Sequence, residues 1–366
     1  MTSFMGTGNG NIVPFEPIAA TEPATVVTRR NKGALKNFPP RERELLTMLT
    51  YMRPAWSSTE TAFIDRFIRP RGTEEDKAGN HWTTIGSGSP ILWSSHTDTV
   101  HKREGKQRLL LGDGLVSAEN SDCLGADCGV GVWLMCQMID AKVPGTYVFH
   151  AGEEIGGVGS EWASRNRKNY LASLSFAIAF DRKGTDEIIT HQMVGRTASD
   201  EFARSLAVAL RPLTYSPSDN GTFTDTAHYS NIIPECTNIG VGYYKQHQKM
   251  ECLDIRHATS LLDTILKADF SGLVCARDPL GVVEEETYAY YGGWAGNKAN
   301  TKKIVCSSMK QPTSYHAWDL VDYVKHYPED VAEFLAYHGI TTTDLEDAIW
   351  RNYTPDNDAD DDDKGV

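Results

Sequence analysis

YVFHAGEEIGGVG, residues Tyr147 to Gly159, places two adjacent carboxylates, Glu153 and Glu154, directly after a short apolar run and before a glycine-rich bend. Tyr147, Val148 and Phe149 are strand formers bounded by Pro144-Gly145 on one side and Gly152 on the other, so the run reads as a buried strand that ends at the acidic pair. Carboxylates at the end of a buried strand are costly to desolvate unless positive charge stands beside them. Adjacent residues on an extended backbone point in different directions, so the two acids can hold different posts, one on a metal and one on a water or substrate.

Working outward, strand and helix patterns alternate. Leu45, Leu46, Met48, Leu49 and Met52 recur at helical spacing, and Ser57 to Glu60 is a capping signal for a second helix through Phe63, Ile64, Phe67 and Ile68. Trp82 to Ile85 and Ile91 to Trp93 read as strands, the second delivering His96; the segment after it, with Gly112-Asp113-Gly114, is polar. Cys123 to Gly129 reads as a loop carrying Asp127 into a buried helix. A helix is expected from Ser160, and Phe176 to Phe180 reads as a strand ending at Asp181. Ile188-Ile189 is a short strand and Ala198 to Leu210 a helix. Thr237 to Tyr244 reads as one strand ending near His247, and Leu261, Leu262, Ile265, Leu266 and Phe270 as a closing helix. This alternation predicts an α/β fold, a mostly parallel mixed sheet flanked by helices, with ligands gathered at the C-terminal strand ends. His96, Glu153, Glu154, Asp181 and His247 all fall at such ends. Taken alone, a His-x-Asp or a Glu-Glu is usually a solvated or capping pair; their convergence is what points to a metal site.

The 366 residues, 40% hydrophobic, suffice for a real core. The net charge of -13 and the lack of a basic stripe exclude a nucleic-acid partner. No apolar run reaches the length of a membrane span, and the expected location is the cytoplasm. Seven scattered cysteines without a Cys-x-x-Cys pair fit reduced thiols. Residues 1–38 read as a flexible arm, 39–276 as the catalytic domain, 277–353 as a partly helical C-terminal extension and 354–366 as an acidic disordered tail. The glycines at 156, 157 and 159 lack a following Gly-Lys-Ser/Thr, so close packing behind Glu154 explains them better than a phosphate loop. Arg196 reads either as a binder of a substrate carboxylate or as a surface ion pair. His101, His150, His191 and His228 read as structural or rim residues.

Five ordered motifs, HTDTV (His96 to Val100), GADCGVGV (Gly125 to Val132), AGEEIGGVGS (Ala151 to Ser160), AFD (Ala179 to Asp181) and GVGYYKQHQKMECLD (Gly240 to Asp254), resemble those of the di-zinc exopeptidase superfamily. That group includes peptidase T, the glutamate carboxypeptidases, the acylamino-acid deacylases and the leucyl-type aminopeptidases. The resemblance covers about Pro39 to Leu273. It implies two Zn²⁺, with Co²⁺ or Mn²⁺ as substitutes: His96 and Asp181 as terminal ligands of one ion, Asp127 as the bridging carboxylate, Glu154 and His247 completing the second. It also implies Glu153 as the general base acting on a water between the metals, and Asp98 as the residue that orients His96. The intervals His96–Asp127 and Asp181–His247 leave no room for the lid domain of many relatives, which makes this a compact member. Cys128, where relatives commonly have Asp or Asn, reads as a small buried side chain, with redox sensitivity or weak metal binding as the alternatives. The expected activity is hydrolysis of a short peptide, of aminopeptidase or dipeptidase type. The alternatives are an N-acyl amino acid deacylase and a metal-binding interaction module without catalysis.

Overall fold

A computed structural model describes residues 38–280 together with Val331, Ala332 and Leu335, which are helical. The chain divides into two compact units, Met1–Glu286 and Thr287–Val366. The expected arm (save Phe38), the acidic tail and, apart from 277–280 and those three residues, the C-terminal extension lie outside the described residues.

Helix α1 (Pro40–Met48) and helix α2 (Ser58–Phe67) open the first unit. Ser57 caps α2 by accepting the Glu60 N–H at 3.1 Å, as the capping signal predicts. Met52 departs from the helical reading and lies in a two-residue strand, Tyr51–Met52. The strands that follow are β1 (Glu74–Glu75), β2 (His81–Ile85), β3 (Ile91–His96), β4 (Arg108–Gly112), β5 (Leu115–Glu119), β6 (Gly145–His150), β7 (Phe176–Arg182), β8 (Glu187–Ile189), β9 (Ser216–Ser218), β10 (Glu235–Gly240), β11 (Tyr243–Tyr244) and β12 (Cys252–Asp254). Between them run α3 (Ala126–Asp140), α4 (Val158–Asn166), α5 (Asp200–Ala209) and, after β12, α6 (Ile255–Ile265).

Eight strands form one sheet in the order β9-β8-β10-β7-β3-β6-β2-β1. Its centre is parallel: β10 with β7, β7 with β3, and β3 with β6. Every residue of β3 and β6 is buried, because helices cover both faces. On one face Ile91, Trp93, Tyr147, Phe149, Ile178 and Phe180 join a large core; on the other Leu92, Val148 and Ala177 join a smaller one. Trp93 stacks on Phe180 with ring centroids 5.6 Å apart. Phe270, expected in the closing helix, instead meets Trp93 edge-on at 5.2 Å from beyond the end of α6.

One segment gains structure here and one reading is corrected. The polar segment after His96 pairs β4 with β5 as an antiparallel hairpin. The expected single strand Thr237–Tyr244 divides into β10 and β11, because Gly242 takes φ +98°, a left-handed conformation in which side-chain-bearing residues are strained. β11 then joins a second, four-stranded sheet ordered β11-β12-β5-β4. The large sheet therefore ends near the site on one side, and the small sheet supplies the loop bearing His247 from the other.

Candidate metal centre

His96 closes β3, and its Nε2 lies 3.2 Å from Asp127 Oδ1 and 3.3 Å from Asp181 Oδ1. His247 Nε2 lies 3.1 Å from Asp127 Oδ2 and 3.2 Å from Glu154 Oε2. Asp127 thus stands between two groups of donors and turns one oxygen to each. Three sets among the described residues bring their ligand atoms within 4.8 Å of one another: His96, Cys128 and Asp181; His96, Glu153 and Glu154; Asp127, Glu154 and His247.

Two observations test whether a metal fits. Ligand atoms bound tetrahedrally at about 2.0–2.1 Å stand about 3.3 Å apart, and the four separations above are 3.1–3.3 Å. Glu154 Oε1, Asp181 Oδ1 and His247 Nε2 are buried without a hydrogen bond, an expensive condition that a cation relieves. The residues fit.

The electrostatics point the same way. Burial, then the neighbouring Asp127, pushes Asp181 up to about 7. Burial likewise pushes Glu153 well above the usual carboxylate range and raises Glu154. For His247 burial alone would lower the pKa, but Glu154 and Asp127 together outweigh it and push it up to about 12. Asp127 is also disfavoured as an anion by burial, yet its contacts with His247 and His96 hold it well below the ordinary range. The cluster lacks positive charge and takes it from protons wherever it can.

Asp98 is fully buried and does more than face His96. Its Oδ1 lies 3.4 Å from His96 Nδ1, while Oδ1 and Oδ2 accept the backbone N–H groups of Glu153 and Glu154, each at 3.1 Å. One carboxylate therefore aligns the imidazole and the turn that carries the acidic pair. Asp181 is held by its own partners: Thr224 donates its hydroxyl to Oδ2 at 2.7 Å, and the Asn238 side chain bonds the Asp181 N–H and C=O at 2.9 and 2.7 Å. Asp225, beside Thr224, is one more buried carboxylate, raised to about 8 chiefly by burial.

Glu251 was not singled out from sequence. It is 1% exposed and accepts four successive backbone N–H groups, those of Leu124 (2.9 Å), Gly125 (3.2 Å), Ala126 (2.7 Å) and Asp127 (3.3 Å). It occupies the amino end of α3, where Asp127 and Cys128 depart from helical geometry and are joined by a cis peptide. The available signal was a carboxylate four residues after His247 and directly before an apolar strand.

The remaining candidates fall into place around this cluster. Cys128 is buried and donates its thiol to Phe180 O at 3.1 Å, with burial pushing its pKa well up, so it behaves as a small neutral side chain. Arg196 pairs with Asp200 at 3.0 Å. His150 is fully buried between Asn80 and Tyr229; His101 contacts Thr99 and Gln107, His191 contacts Thr190, and His228 contacts Ser160. A Cβ added at Gly159 would meet Asn80 Oδ1 at 2.0 Å and Ala151 O at 2.7 Å, so close packing accounts for that glycine; Gly156 faces open space. A cavity of about 70 Å³ adjoins the cluster, lined by Asp127, Glu153, Asp181, His247, Tyr243, Phe223 and further polar residues.

No family model matches the chain, and no curated protein does. Solved structures do. A tripeptidase from Staphylococcus aureus is 14% identical, with the match covering 62% of this chain and 96% of that one at a TM-score of 0.51. The dodecameric PhTET1-12s is 16% identical, with 63% and 98% covered at a TM-score of 0.50. At such identities the likeness establishes the fold, and it is the fold to which the ordered motifs point.

Proposed function

We propose that residues 39–276 are the catalytic domain of a metal-dependent exopeptidase acting on short peptides, of aminopeptidase or dipeptidase type. The observation that carries this reading is the pairing of His96 with Asp181 and of His247 with Glu154 on opposite oxygens of Asp127, at ligand spacing and with buried atoms left unbonded. In the proposed site His96 and Asp181 would hold one zinc and Glu154 and His247 the other, with Asp127 offering an oxygen to each. The ions, when bound, neutralise the carboxylates and lower the pKa of water toward neutrality.

The protein's own groups do the rest. Glu153 lines the cavity, and its Oε2 is 4.0 Å from His96 Nε2, outside the ligand spacing of the other acids. It is therefore free to take a proton from the attacking water and return it to the leaving amine. Burial raises its proton affinity, which suits a base that must also act as an acid. Asp98 fixes both the His96 ring and the backbone beneath Glu153, so the base and the ligand keep their relative positions. The tripeptidase that shares the fold lends the reading support by analogy. We assign the site of action to the cytoplasm, in keeping with the six unpaired cysteines among the described residues, five of them buried. Among the described residues no helix is long and apolar enough to cross a membrane.

The reading is tested by a hydrolysis screen of free and N-blocked dipeptides with added Zn²⁺, Co²⁺ or Mn²⁺. Turnover of free dipeptides that EDTA abolishes is the expected result. Turnover confined to the N-blocked set would make the chain a deacylase, and metal binding without turnover would make it a binding module.

A further inference from the structure

Two cationic residues line the cavity beside the candidate metal centre, Arg182 and Lys183. Arg182 is committed: its Nε and guanidinium NH₂ both reach Glu187 Oε2 at 2.8 Å. Lys183 is exposed and makes no ion pair or hydrogen bond with any described residue. It stands two positions after Asp181, in the bend that follows β7, and lines the same cavity as that carboxylate. The cavity is thus bordered by an exposed cation and by a more buried candidate ligand.

With two divalent cations the charges of Asp127, Glu153, Glu154 and Asp181 are balanced, and Lys183 is the unbalanced charge facing the cavity. It repels a substrate ammonium and attracts an anion. The cavity, about 70 Å³, is lined both by Lys183 and by the candidate ligands, so the cation stands close to the place of the reacting bond. We infer that Lys183 binds the free terminal carboxylate of a peptide cleaved one residue from its C-terminus, which for an enzyme of the proposed type makes the preferred substrates dipeptides. Phe223 and Gln246, which line the same cavity, flank the residue that carries the carboxylate. This assignment rests on the exopeptidase reading and on the same site. Arg196, the other cation considered for this duty, is engaged by Asp200 and does not line the cavity.

The test compares an unblocked dipeptide with its C-terminal amide, using the full chain loaded with zinc, for the wild type and for Lys183→Met and Lys183→Arg. The wild type is expected to prefer the acid at least tenfold in kcat/KM. Lys183→Met should collapse that preference at least tenfold, through KM and with kcat for the acid nearly unchanged, and Lys183→Arg should restore most of it. Metal content, measured alongside, should be the same in all three. Equal kcat/KM for acid and amide in the wild type, or a Lys183→Met loss that is the same on both peptides, overturns the assignment and leaves the exopeptidase reading intact. Hydrolysis of neither peptide overturns both.

Discussion

The carboxylate of Glu251 accepts the backbone N–H of Asp127, the residue that His247, four positions before Glu251, also faces. The loop that presents one candidate ligand is thereby stapled to the loop that presents another, and His247 approaches Asp127 at 3.1 Å beside that staple.

Glu251→Gln leaves one acceptor oxygen for four N–H donors and turns an amide of its own toward them. The expected loss is about 2–4 kcal/mol of folding stability and about 10–100-fold in metal affinity. Urea unfolding in EDTA and zinc titration against a chelating dye measure the two effects separately. A variant that matches the wild type in both would show that the staple is dispensable.

Glu153→Gln keeps the shape of the side chain and removes its basicity. Zinc content should be unchanged while kcat falls by about 10²–10⁴-fold. Steady-state kinetics on whichever dipeptide the screen identifies provide the check; undiminished turnover would remove Glu153 from the chemistry.

Metal should stabilise the fold as well as activate it. Zinc at a hundred times its Kd contributes about 2.7 kcal/mol, a rise in Tm of about 5–10 °C for a unit of this size. His247→Ala should lose most of that increment in thermal scans with and without EDTA. An increment that survives the substitution would place the stabilising ion elsewhere.

A further prediction concerns pH and lies away from the ligands. The Arg53 N–H donates to Thr99 Oγ1, 3.1 Å away, which leaves the threonine hydroxyl proton for His101 Nδ1 at 2.8 Å. His101 Nε2–H then donates to Gln107 Oε1 at 3.2 Å, while the Gln107 amide donates to Leu49 O and Leu124 O, both at 2.7 Å. The ring is locked neutral, and burial, the main cause, lowers its pKa to about 4 from 6.5. The unfolded chain binds this proton first on acidification, so the stabilisation is complete above pH 6.5 and is lost as pH falls toward 4, by about 3 kcal/mol in all. His101→Gln should flatten the pH dependence of urea unfolding across that window. Superimposable slopes for the two proteins would refute it.

The parallel centre of the fold was legible because β3, β6 and β7 are buried almost throughout and so carry short apolar runs, Ile91 to Trp93, Tyr147 to Phe149 and Phe176 to Phe180, each followed by polar groups. The candidate ligands were legible for the same reason: His96, the Glu153-Glu154 pair and Asp181 stop or follow such runs. The small sheet was hidden because β4 and β5 are only half-buried, and Arg108 and Glu119 at their ends read as surface. Glu251 was hidden because its partners are backbone N–H groups some 125 positions away in sequence, and a main-chain donor leaves no signature in side-chain pattern. The second duty of Asp98 escaped notice for that reason too: its contact with His96 follows from proximity in sequence, whereas its hold on the turn of Glu153 and Glu154 exists only once β3 and β6 lie side by side.

His96, Glu153, Glu154 and Asp181 issue from the large sheet, whereas His247 sits between two strands of the small one. In the proposed site Glu154 comes from the large sheet and His247 from the small one, so an ion held between them would act as a rivet across the seam. Occupancy of that place would then report on assembly: a chain whose two sheets have not met in register would lack the pairing of Glu154 with His247, and with it the proposed activity.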